Sequence, residues 1–440
     1  MTAVIGILNK RGVAIAADSA VTRTREDNRK YTKNGNKMLR ISNCTPISVM
    51  ITGNADFLKI PWEVIVRRYR EQRGDVALSS VEQYVYDFFG YISKSDIFWT
   101  KDCEDWVRYI LGWLISHILR NERVKEQTSV CNKGKLYRPK TFLKVFVAEL
   151  KRSEKEFLKR GTTTQFEDYS AEQFHQYARP IIDKFFENKL AEIETTAEEN
   201  EKHLKDKDIY NLLLNIKDEI EHSLLKHLVT PICRRFSATL VFSGFGRDEE
   251  YPSLIAAEVN GGFDHIVNFH IKPENIIKID DKHPVAICPF AQSDVVEAIL
   301  KGVQMGFIQK TNRSLYQKIS DLWSNDEEEV FDSEFFKLLN EVDYEPHHKR
   351  LYAKVNKQIK GNNSAWEKSL ENYDLQSMAA LANNLIALTG FHRILTFQQE
   401  GVGGPVDLAV ISKNEGFTWL NRKSWYHHHD VNGQFGRFGV

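Results

Sequence analysis

Two apolar runs at the start of the chain constrain its fold more than any other feature. Ala3-Val4-Ile5-Gly6-Ile7-Leu8 and Gly12-Val13-Ala14-Ile15-Ala16-Ala17 flank the polar stretch Asn9-Lys10-Arg11. Short β-branched and small apolar runs about a polar, Gly-containing turn read as a β-hairpin. Folding about Lys10-Arg11 sets Thr2 beside Asp18 and Ser19. A slip of one residue would reverse every face, so proximity is predicted and side-chain direction is not.

An acid that closes an otherwise apolar strand needs a partner, because a lone buried carboxylate is costly. Lys37 is the candidate, since it opens the next apolar-alternating run, Lys37-Met38-Leu39-Arg40-Ile41. Thr2 brings chemistry of its own. Aminopeptidases remove an initiator Met readily ahead of a small residue, and no pro-segment is expected here. Threonine then presents a hydroxyl and a free α-amine, a nucleophile and a base in one residue. An α-amine titrates near pH ~8 against ~10.4 for lysine, so it accepts a proton at neutral pH. Taken singly, each piece also fits a plain structural role. Thr is a common second residue, Asp18-Ser19 is a serviceable strand cap, and Lys37 could be a solvated strand end.

Together these residues resemble the proteasome β subunit and its bacterial relatives, the N-terminal-nucleophile (Ntn) threonine hydrolases. Thr2 matches the family's nucleophile, Ala16-Ala17-Asp18-Ser19 its Asp element, and Lys37-Met38-Leu39-Arg40-Ile41 its Lys strand. Ile51-Thr52-Gly53-Asn54-Ala55-Asp56 matches the turn that opens its first helix. Fainter matches are Thr239–Gly246 with Tyr251-Pro252-Ser253-Leu254, Pro289–Asp294, and Gly401-Val402-Gly403-Gly404-Pro405-Val406-Asp407. The resemblance implies Thr2 as nucleophile and base, and Lys37 as the cation that lowers the amine pKa. Asp18 would orient Lys37, and backbone N–H groups at Thr52 and Gly53 would hold the oxyanion. Where the family places Arg, two residues after its Asp, this chain has Ala20. Its auxiliary Ser falls at Phe290 or Ala291 and its auxiliary Asp at Gln399 or Glu400. Ser19, Ser293 and Glu400 are the auxiliary candidates that remain.

The chain has 440 residues, 42% apolar and 27% charged, with formal net charge zero. That composition belongs to an ordinary globular protein and supports neither a nucleic-acid nor a membrane partner. The apolar run Tyr109–Ile115 is too short to span a bilayer, and no basic segment followed by an apolar one marks a signal peptide. The five cysteines are scattered without a C-x-x-C spacing and read as reduced thiols of a cytoplasmic protein. No cofactor or metal is expected. His427-His428-His429-Asp430 has metal-ligand residue types, but adjacent residues of an extended chain point to opposite sides, so a surface tail is expected. Gly401-Val402-Gly403-Gly404 precedes a strand, whereas a phosphate loop opens a helix. The acids near Gly244–Glu250 read as an exposed turn, and Arg67-Arg68-Tyr69-Arg70 as a solvated or partner-facing helix surface.

Residues 1–52 read as four short strands, and the chain from Ala55 to about Arg120 as helical. Charge-dense, helically spaced segments at 123–231 and 307–370, the latter with the acidic run Asp326–Glu329, read as helical insertions. They divide a proteasome-like core into 1–122, 232–306 and 371–440. The succession of strands and helices predicts an α+β fold, a four-layer αββα sandwich of the Ntn type. The function expected is hydrolysis of peptide amide bonds through an acyl-enzyme on Thr2. Alternatives are a small-amide amidase of the same fold and a catalytically silent, partner-binding subunit. Expected partners are a peptide or unfolded-protein substrate, further copies of the chain in a homo-oligomer, and an ATPase or other protein docked through the insertions.

Overall fold

A computed structural model of the protein describes residues 3–25, 28–32, 35–129, 131–132, 135–136, 138–159, 161–195, 201–230, 237–302, 357, 359, 361–362, 365–396 and 403–423. Thr2, Asp326–Glu329, Gln399, Glu400, Gly401-Val402 and His427–Asp430, all singled out above, lie outside the described residues.

The fold is α+β with antiparallel sheets, and eleven strands make up its two main sheets. In chain order they begin with β1 (Ala3–Asn9), β2 (Gly12–Asp18), β3 (Met38–Arg40), β4 (Ile47–Gly53) and β5 (Ala238–Gly244). There follow β6 (Ser253–Phe263), β7 (Ile266–His270), β8 (Ile276–Lys278), β9 (Val285–Ala291), β10 (Val406–Ser412) and β11 (Gly416–Asn421). The first sheet has the order β9-β1-β2-β10-β11; the second runs β7-β6-β5-β4-β3, with β8 also on β6.

The N-terminal hairpin forms about Lys10-Arg11 as expected, and the structure fixes its register, with Val4 opposite Ala17 and Asn9 opposite Gly12. Every residue of β1 and β2 is buried, which explains why both read as apolar runs and not as alternating strands. Val4, Leu8, Val13 and Ile15 pack on Met38, Met50, Val241 and Leu254 of the second sheet. Gly6 permits that approach, since a Cβ there would lie 2.7 Å from Leu254 Cδ1.

Helices cover the opposite face of each sheet. They are α1 (Trp62–Arg73), α2 (Val81–Lys94), α3 (Lys101–Leu119), α4 (Glu122–Ser129) and α5 (Pro139–Leu158). Next come α6 (Ala171–Thr195), α7 (Glu201–Leu213), α8 (Lys217–Leu228), α9 (Asp294–Lys301) and α10 (Leu375–Leu395). Ile5, Ile7, Ala14 and Ala16 of the first sheet meet Met378, Ala382 and Ile386 of α10 and Val296 of α9. Val49, Ile51, Phe242 and Ile255 of the second sheet meet α1 and α2 through Ile65, Phe88 and Phe89. Residues of α5, α6 and α8, among them Phe146, Phe174 and Leu224, belong to that same apolar cluster.

The start of the chain holds more strand than the sequence pattern suggested. Val21–Arg25 and Asn28–Thr32 pair as a separate two-stranded ribbon outside both sheets. Its Thr-, Arg- and Lys-rich sequence has no apolar alternation, so periodicity does not signal it. No helix among the described residues is long and apolar enough to cross a membrane.

Candidate active site

The first sheet's ladder ends at Asp18, which is opposite Val406 of β10 and only 1% exposed. A carboxylate at that depth needs donors, and four reach it. Asp18 Oδ1 accepts from Lys37 Nζ at 2.6 Å and from the Ala3 backbone N–H at 2.8 Å. Oδ2 accepts from the N–H groups of Ala20 at 3.3 Å and Gly403 at 3.1 Å. The sequence argument that Asp18 requires a cation, and that Lys37 supplies it, agrees with this geometry.

Lys37 lies just ahead of β3, and its carbonyl accepts the Ile51 N–H at 2.8 Å. That bond places Lys37 across from the end of β4, where Thr52 and Gly53 sit. Burial lowers the Lys37 pKa from the usual lysine value, and the neighbouring Lys423 adds to the effect. The Asp18 carboxylate, and more weakly Asp407, oppose it. Thr52 is buried and Gly53 is exposed at the strand end. Gly53 has φ +81°, and a Cβ there would lie 2.5 Å from the Ser237 carbonyl oxygen, so the turn after β4 demands glycine. A cavity of about 360 Å³ opens beside the next residue, Asn54, with Phe57, Leu58, Trp62 and Trp106 in its wall. A larger cleft of about 1050 Å³, around Tyr69, Tyr86 and Tyr91, contains none of the candidate residues.

The auxiliary candidates separate. Ser19 is fully buried beside Asp18, and its hydroxyl donates to the Pro405 carbonyl at 2.7 Å. Ser293 follows the end of β9, whose Ala291 pairs with Ala3. Its hydroxyl donates to Glu297 Oε1 at 2.6 Å, one turn along α9. Among the described residues, nothing links Ser293 to the Asp18–Lys37 pair. Thr2 and Glu400 lie outside the described residues.

A second buried ion pair adjoins the first and was not anticipated. Lys423 Nζ lies 2.7 Å from Asp407 Oδ2, and the side chains are 5% and 3% exposed. Lys423 also donates to the Gly35 carbonyl at 2.5 Å and to Ser19 Oγ at 3.4 Å. Asp407 carried the same signal as Asp18, an acid within an apolar strand, but was read only as part of the Gly-Gly segment. No group of three or more His, Cys, Asp or Glu side chains among the described residues is arranged to hold a metal ion.

No protein-family model matches the chain, and no curated protein matches its sequence.

Proposed function

We propose that the protein is an N-terminal-nucleophile hydrolase of the proteasome β type, which cleaves amide bonds through an acyl ester on Thr2. The observation that carries this reading is the shared carboxylate oxygen of Asp18, which binds both the Lys37 ammonium and the Ala3 N–H. Thr2 is covalently bonded to Ala3, so the strand start and the buried cation are fixed to one atom. The four-layer αββα arrangement belongs to the same proposal. It is supported by helices α9 and α10 on one sheet, α1 and α2 on the other, and an apolar cluster between the sheets.

In this mechanism, Met1 is removed and Thr2 Oγ attacks the amide carbonyl carbon. The hydroxyl proton passes to the Thr2 α-amine, whose pKa the Lys37 charge holds down. The Gly53 backbone N–H, which faces the Lys37 side of β4, receives the oxyanion and contributes ~3–4 kcal/mol to barrier lowering; the Thr52 N–H, expected from the sequence to share this role, points the other way, into the pairing with Thr239. The ammonium returns its proton to the leaving amine, and water then hydrolyses the ester. Peptide or unfolded chain is the proposed substrate, met by a homo-oligomer in the cytoplasm.

The test is mass spectrometry of the N-terminal peptide after exposure to a β-lactone. A peptide beginning at Thr2 and carrying the acyl mass is expected, with the labelling rate reduced about 100-fold or more in Lys37→Met. Retained Met1, or an unmodified Thr2, would overturn the reading. One observation favours a second one, a catalytically silent partner-binding subunit: the Ser293 hydroxyl is directed to Glu297. Under that reading, Thr2→Ala leaves both labelling and substrate turnover at the native level.

A further inference from the structure

We propose that Lys423 is a positioning residue for Lys37, a clamp that fixes the segments carrying Asp18 and Lys37 and sets the charge around them. Its consequence for catalysis rests on the hydrolase reading above; the clamp rests on geometry alone.

The two buried lysines are bonded differently. An ammonium has three donors and no acceptor. Lys423 directs all three to fixed partners: Asp407 Oδ2 at 2.7 Å, the Gly35 carbonyl at 2.5 Å and Ser19 Oγ at 3.4 Å. Lys37, among the described residues, bonds Asp18 alone. A saturated cation holds structure; one with donors left over can serve a reacting group.

The partners of Lys423 are the immediate neighbours of the first pair. Ser19 follows Asp18, and Gly35 stands two residues before Lys37. The same two residues meet through the backbone, where the Gly35 N–H donates to the Ser19 carbonyl at 3.0 Å. Asp407 holds the clamp from both sides, since its Oδ1 accepts the Lys423 backbone N–H at 2.9 Å. Ser19 ties this cluster to the Gly-Gly segment through the Pro405 carbonyl. The segments carrying Asp18, Lys37 and the Gly403 N–H that caps Asp18 therefore converge on one ammonium.

A buried ion pair is weak evidence of stabilisation, because desolvation offsets its attraction. Two such pairs side by side need another reason, and the charge pattern supplies one. Among the described residues, the charged groups facing Lys37 are Asp18 from β2, Asp407 from β10 and Lys423 after β11. A second ammonium nearby favours the neutral form of Lys37, and a carboxylate favours the charged form. Removing Lys423 or Asp407 therefore moves the Lys37 titration in opposite directions.

The experiment follows the Lys37 titration by NMR in the full chain labelled with ¹³C at lysine Cε. In Lys423→Met the Lys37 midpoint is expected to rise, and in Asp407→Asn to fall, each by about half a unit or more. Lys423→Arg keeps the charge and is expected to restore the native midpoint. Thr2 acylation by the β-lactone, measured across pH, should slow about 10- to 100-fold in Lys423→Met, with its alkaline limb shifted upward, and recover in Lys423→Arg. Midpoints unchanged in both Lys423→Met and Asp407→Asn would overturn the inference. So would slower acylation in Lys423→Met with an unmoved pH profile, because that is loss of packing alone. If Lys423→Met does not fold, the downward shift in Asp407→Asn decides the matter by itself. Midpoints that move as expected in a protein whose Thr2 is never acylated would uphold the clamp and sink the hydrolase reading.

Discussion

Asp18 carries its charge into the interior because four donors meet it, and removing that charge has a calculable cost. Asp18→Asn leaves the Lys37 ammonium buried without its counter-charge, a change expected to cost about 3–5 kcal/mol. The paired replacement Asp18→Leu with Lys37→Met removes both charges and should cost less than the single one. Urea denaturation of the two variants tests this, and a single variant within ~1 kcal/mol of native would show that the pair is not mutually dependent. This pair was legible in the sequence because an acid closes one apolar run and a cation opens another. The Asp407–Lys423 pair was half legible: Asp407 interrupts Val406-Asp407-Leu408-Ala409-Val410-Ile411, but Lys423 follows the last strand, where a cation looks like a solvated end. Ser293 fails for a local reason, as a side chain at a helix start finds a partner one turn along before it finds a distant one.

Among the elements, the strands with two covered faces and the long helices were legible, because an unbroken apolar run and a helical period are both strong signals. The ribbon of Val21–Arg25 and Asn28–Thr32 was not, since it packs in neither sheet and needs no apolar face. Helix α8 carries a feature visible only in three dimensions. His227 is 4% exposed, and its Nδ1 lies 2.6 Å from the Ser223 carbonyl, which can only accept. Nδ1 therefore bears the hydrogen, and Nε2 accepts from the Ser153 hydroxyl at 3.0 Å, tying α8 to α5. Burial holds the His227 pKa below its ordinary 6.5, against the opposing Ser223 hydrogen bond. The unfolded chain thus binds a proton more readily than the folded one between the lowered value and 6.5, and stability falls as pH drops through that window. His227→Gln should cost stability at pH ~7, with the gap to native narrowing toward pH ~5. A gap that stays constant in urea titrations at the two pH values would contradict the assignment.

For the whole molecule, the sequence divided core from insertions by composition, whereas packing joins them. Phe263, at the end of β6, is fully buried and stacks on Phe166 at 4.9 Å between ring centres. Tyr169 and Phe174 pack edge-on to the same ring. Phe263→Ala is expected to cost about 3–5 kcal/mol and to lower one shared unfolding transition. Calorimetry showing a separate transition for residues 122–228, untouched by the substitution, would refute a common core. Such contacts join residues far apart in the chain, and no local pattern encodes them.

Chain order at Asp18 also has a consequence in time. Three of its donors, Lys37 and the N–H groups of Ala3 and Ala20, are made early, but Gly403 and the Lys423 clamp are made near the other end of the sequence. At ~5–20 residues per second, roughly 20–80 s separate the synthesis of Lys37 from that of Lys423. Through that interval a nascent chain holds the catalytic candidates without the groups that fix them. Under the hydrolase function proposed above, the site would thus stay unassembled, and the chain inert, while still attached to the ribosome.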